Sequence, residues 1–205
     1  MMYRNIALAA LCVALGACAA TTAKPRPQAQ IEIQEQVGFT ITEKVSVSDS
    51  VRQDYEQSLL LLELGQLAQG MGLLECVVER APDVSGPRTD LGIAQQRAGE
   101  LESAEQHHRK ALELNPDHPV AHTELGILYR KSGRFAEAKR SYEAALAVYP
   151  GYHHARRNLG VLCDLYLADL ECALANYEAY MTTVAGDDEA AMWIADLRMR
   201  LGPQE

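Results

Sequence analysis

The side chains best suited to covalent, metal or ionic chemistry are the cysteines, the histidines and a few widely spaced cations. The five cysteines are Cys12, Cys18, Cys76, Cys163 and Cys172. Cys18 closes the small-residue run Leu15-Gly16-Ala17-Cys18, and Cys76 sits in apolar surroundings as an expected core thiol. His118 and His122 have the spacing of two metal ligands on one helix turn, but Pro119 starts a helix between them. No acidic or thiol ligand completes that set, so no metal is expected, and the six histidines should pack or face solvent. Gly-rich phosphate loops, nucleophile elbows and zinc-protease motifs do not occur. An acidic surface offers many carboxylate pairs without meaning, so no catalytic residue, no cofactor and no enzyme activity are expected.

The setting of Cys18 is more specific. Arg4 gives the N-terminus a positive flank, and Ile6 to Leu15 is apolar but too short to span a bilayer. Such a start reads as a secretory signal over 1–17, and Leu15-Gly16-Ala17-Cys18 resembles the lipobox of bacterial lipoproteins. That resemblance implies cleavage before Cys18 and acylation of its sulfur and new amino group, with each buried methylene adding about 0.8 kcal/mol of membrane affinity. Ala19, where Asp would retain the protein at the inner membrane, implies the periplasmic face of the outer membrane. Formal net charge is -9, and removing 1–17 deletes one base and no acid, leaving -10. An acidic body gains nothing from phosphate neutralisation, which argues against nucleic acid as a partner. Contact with a membrane is expected through the lipid alone.

Residues 18–50 read as a linker. Lys24-Pro25-Arg26-Pro27 favours extended backbone. Over 31–47 the apolar residues Ile31, Ile33, Val37, Phe39, Ile41, Val45 and Val47 fall on odd positions, and no even position is apolar. That period of two belongs to a half-buried strand, broken near Gly38 because one strand of that length exceeds the usual range. The segment either folds back on the body, stays disordered, or adds to a partner's sheet edge, since no second strand run follows it.

From residue 51 onward the chain repeats. Leu91-Gly92, Leu125-Gly126 and Leu159-Gly160 recur every 34 residues, as do Pro82, Pro116 and Pro150. Ala104 and Ala138 keep the period, and Ala173 falls one residue late, placing an insertion in the turn of Cys163 to Cys172. The sequence here resembles the tetratricopeptide repeat family, whose units are helical hairpins of this length. The resemblance implies an all-α superhelix over 51–201, in units 51–84, 85–118, 119–152 and 153–186, with an amphipathic cap at 187–201. Within one hairpin, Cys163 and Cys172 flank the turn and face each other, a disulfide candidate in an oxidising compartment.

In this family the first helix of each unit lines a concave groove. The matching positions place Ile93, Ile127 and Val161 along its floor, with Arg97, Thr123, Arg130, Lys131 and Arg157 beside them. Apolar anchors flanked by cations suit a peptide carrying acidic groups. The family's carboxylate clamp is missing, because Thr89, Thr123, Ile93 and Ile127 occupy its positions. The expected function is a periplasmic adaptor for a protein or peptide of an envelope assembly such as a pilus, secretion, transport or polysaccharide export system. The tetratricopeptide lipoproteins of pilus systems are similar in kind. A pilotin-like chaperone for an outer-membrane subunit is the alternative, ahead of a cell-wall enzyme.

Overall fold

A computed structural model describes residues 30–34 and 38–202. The signal segment and Cys18 lie outside the described residues. Two short strands come first, β1 (Gln30–Gln34) and β2 (Gly38–Thr42). Four helical pairs follow: α1 (Asp49–Glu63) with α2 (Leu67–Arg80), α3 (Ser85–Ala98) with α4 (Leu101–Leu114), α5 (Pro119–Lys131) with α6 (Phe135–Val148), and α7 (His153–Leu165) with α8 (Leu170–Thr183). A last helix, α9 (Asp188–Leu201), packs on α8. Among the described residues no helix is long and apolar enough to cross a membrane.

The pairs close tightly because a glycine in one helix meets a ring in the next. A Cβ on Gly126 would stand 2.4 Å from the Tyr142 ring, one on Gly160 2.6 Å from Tyr177, and one on Gly92 2.6 Å from His108. Only hydrogen fits at these crossings, and the large ring then fills the space beside it. The first pair inverts the arrangement, with Gly70 of α2 receiving Leu62 of α1. Each second helix also packs on the first helix of the following pair, so the stack is continuous. Its main core runs from Leu125 and Tyr142 through Leu162 and Tyr177 to Ile194 and Leu197, which joins the cap to the last two repeats.

Turn chemistry reverses the chain between the two helices of each pair. Gly99 and Gly133 take left-handed backbone, with φ of 85° and 77°, where a side chain would be strained. The α7–α8 turn has no glycine for this, and Ala168 takes φ 52° instead. Here Cys163 and Cys172 are joined in a disulfide, with Cα atoms 5.8 Å apart. Asp169 caps α8 by accepting from the Cys172 amide at 3.1 Å.

Two expectations need correction. The alternating run does have a second strand to pair with, because it folds on itself: β1 and β2 are antiparallel, with Gln30 opposite Thr42 and Ile33 opposite Phe39. Gly38, at φ 129°, stands at the start of β2 where the run breaks. Cys76 is exposed rather than in the core. The buried stripe of α2 is Gly70, Leu74, Val77 and Val78, and Cys76 lies on the opposite side of the helix.

Candidate binding groove and its strap

The first helices α3, α5 and α7 neighbour one another in the stack. Ile93, Ile127 and Val161 are half-exposed on them, and Ile127 and Val161 pack on the main core from its outer side. Arg97 and Lys131 are exposed at the C-terminal ends of α3 and α5. No described residue holds either in an ion pair. Between them lies an acid that motif reasoning missed. Glu124 accepts from Gln96 Nε2 at 2.5 Å, and burial raises its carboxyl against the opposing pull of that hydrogen bond, Lys131 and Arg97. Glu124 follows a groove position by one residue, so its burial between two cations was not legible from the repeat register.

Three of the anticipated groove residues are otherwise engaged. Thr123 is only 1% exposed and its hydroxyl donates to the Pro119 carbonyl at 2.9 Å, so it offers nothing to a partner. Arg130 is half-buried, with its guanidinium 5.8 Å from the Tyr166 ring centre. Arg157 pairs with Glu189 at 3.3 Å and lies 5.0 Å from the Trp193 ring centre, so α9 absorbs it. Among the described residues, the exposed groove cations outside any ion pair are therefore Arg97 and Lys131, and both act on the Glu124 carboxylate.

The other half of the groove is covered by the chain itself. Residues 39–47 form a strap whose odd residues are half-buried and whose even residues are exposed, as the alternation requires. Phe39 meets Tyr149 and Tyr152 edge-on, with ring centres 5.5 and 5.3 Å apart. Glu43 accepts from the Ser85 amide at 2.8 Å and from the Ser85 hydroxyl. Val84, the residue that precedes α3, has no side chain able to cap, so the Glu43 carboxylate supplies the missing acceptor from a distant part of the sequence. Val47 packs on the small cluster of Val51, Val77 and Ala81.

Between strap and helices a cavity of about 520 Å³ remains, with Ile41, Val45, Gly86, Pro87 and Val120 among its walls. Besides Glu43 and Arg52, its polar residues form two pairs. Tyr55 donates to Asp90; burial raises the Tyr55 phenol, and raises the Asp90 carboxyl against the opposing effect of that hydrogen bond. The second pair is Thr89 and His118. His118 Nδ1 accepts from the Ala121 amide at 3.3 Å, which leaves the proton on Nε2, 3.3 Å from Thr89 Oγ1. Thr89 in turn donates to the Ser85 carbonyl at 3.1 Å. Burial lowers His118 to about 4, with His122 adding to the effect. A threonine whose proton is committed to backbone, beside a histidine that no carboxylate orients, is not an activated nucleophile. The sulfurs of Cys163 and Cys172 lie near the Asp169 carboxylate, but bonded to each other they offer no thiolate to a metal.

Residues 87–151 match the family model described as Tetratricopeptide repeat. Among solved structures, the chain is similar to MamA 41-end from Desulfovibrio magneticus RS-1, at 20% identity over 76% of this chain and 88% of that one, with a TM-score of 0.66. It is similar to Pseudomonas aeruginosa pilF at 22% identity, covering 75% of this chain and 70% of that one, with a TM-score of 0.67. TTC0263, a thermophilic tetratricopeptide protein of Thermus thermophilus, gives 23% identity, 73% and 81% coverage and a TM-score of 0.61. No curated protein matches the sequence.

Proposed function

Because residues 87–151 match the tetratricopeptide repeat model and the helical pairs share the fold of solved tetratricopeptide proteins, we propose that this chain is a lipid-anchored periplasmic adaptor of the outer membrane. Its groove takes a protein or peptide segment of an envelope assembly such as a pilus, secretion, transport or export machine. The observation that carries this reading is the line of half-exposed apolar residues Ile93, Ile127 and Val161 beside Arg97 and Lys131, which no described residue holds in an ion pair. Apolar floor and cationic edge together favour an apolar segment bearing carboxylates, because a charge-assisted contact at the rim adds orientation to burial at the centre. The anchor at Cys18 rests on the lipobox resemblance, and the fold, ordinarily a non-catalytic scaffold, supports binding over chemistry.

The test is photo-crosslinking in intact cells from a benzoylphenylalanine placed at Ile127, with and without Arg97→Glu and Lys131→Glu, and again with Cys18→Ser. The expected result is capture of one envelope protein, lost on charge reversal and lost or mislocalised without the anchor. Capture that ignores both the charges and the anchor overturns the reading. If the captured protein instead disappears from the outer membrane when this chain is deleted, while never co-purifying with it, the chain is an escort rather than a resident subunit.

A further inference from the structure

The strap is bound the way a ligand is bound. Its side chains alternate between trough and solvent from Phe39 to Val47, and only every second residue makes the attachment. It starts against Tyr149 and Tyr152 beside the N-terminus of α7, passes the N-terminal turns of α5 and α3, and ends on the α1–α2 pair. The polar anchor is one carboxylate, Glu43, seated on the amide and hydroxyl that open α3. Opposite charge at that helix end and a donor pair at Ser85 make the position selective for an acid. Yet the strap underfills its trough, since the cavity of about 520 Å³ lies beneath Ile41 and Val45 against Val120, Pro87 and Asp90. Missing contact on one side forfeits dispersion energy, so a segment with bulkier residues at these two places binds the same anchors better.

We propose that this trough is a docking site for an extended segment of a partner protein, and that residues 39–47 are its resident intramolecular occupant. The partner segment carries an aromatic residue four places before a carboxylate, with large apolar residues at the alternate positions on either side. Binding then requires displacement of the strap, which competes at the high effective concentration of a tethered segment. Partner affinity is reduced by the fraction of molecules with the trough covered. The proposal rests on the reading of this chain as a protein-binding adaptor, but its test needs neither the anchor nor the envelope partner.

A fluorescein-labelled peptide of the sequence GFTITEKVSVS, spanning Gly38 to Ser48, is titrated against the full chain and against the Phe39→Ala, Glu43→Gln double variant. The peptide is expected to bind the double variant at least ten-fold more tightly than the natural chain. It should slow hydrogen exchange at the Ser85 amide, and lose binding when the same two substitutions are made in the peptide. Replacing its isoleucine and first valine by phenylalanine and leucine should tighten binding further. Equal binding to both chains, or no protection at Ser85, overturns the proposal. So does a dimer that grows with concentration when the strap is unlatched, which assigns the trough to the strap of a second copy. Circular dichroism checks that the variant keeps its helices, and if they are lost the comparison is repeated with Glu43→Gln alone.

Discussion

His108 stands where α4 crosses α3, at the position held by Tyr142 and Tyr177 in the next two repeats. Its exposure is 0%, its ring abuts Gly92, and neither ring nitrogen has a hydrogen-bond partner among the described residues. Burial lowers its pKa to about 3, with His118 and His107 contributing repulsion. A folded-state value below the ordinary 6.5 means that the neutral ring is favoured in the fold. The associated stability is present above pH 6.5 and is lost as pH falls towards the folded value. Between pH 7 and 5 this linkage removes about 2 kcal/mol for His108, and about 2 kcal/mol more for His118, whose value falls to about 4. Together that is a large share of the roughly 5–15 kcal/mol that holds a domain. His108→Phe keeps a flat ring over Gly92 and deletes two unpaired nitrogens, which should stabilise at pH 7 by about 1–3 kcal/mol. It should also reduce the loss between pH 7 and 5 by about 2 kcal/mol. Urea unfolding followed by far-ultraviolet circular dichroism at both values, with the disulfide intact, measures this. Equal midpoints for the natural chain at pH 7 and 5, or an unchanged pH dependence in His108→Phe, would refute the argument from burial.

Gly126→Ala places a methyl against the Tyr142 ring at 2.4 Å and should cost about 1–3 kcal/mol, seen as a lower urea midpoint. Cys163→Ser with Cys172→Ser opens a short loop in the α7–α8 turn and should cost about 2–3 kcal/mol, matched by adding reductant to the natural chain. An unchanged midpoint under reductant would mean that the turn is held by Asp169 and packing alone. Arg157→Ala should lower stability by about 0.5–1 kcal/mol through Trp193 and Glu189 while leaving partner capture intact, in contrast to reversal at Arg97 and Lys131.

Much of this fold could be read residue by residue. The recurrence of Leu-Gly pairs located the helix crossings, and the late Ala173 located the irregular turn where Ala168 takes positive φ. Over 39–47 the period of two matches which strap residues are half-buried and which are exposed. Cys76 was within reach as well, since the helical stripe of Leu74, Val77 and Val78 excludes it from the core side. Other features were out of reach. Nothing local to Glu43 says that Ser85 will receive it, nor does anything near Arg157 announce Glu189 and Trp193. Thr123 sat at a groove position and was covered all the same. Periodicity records which side of an element is apolar, because that pattern is set by backbone geometry at fixed residue spacing. Which element then covers that side depends on loop closure and stacking among residues far apart in the chain. So the repeat register and the two faces of the strap belong to the sequence alone, whereas the strap's seat across the groove was decided only when the helices had stacked.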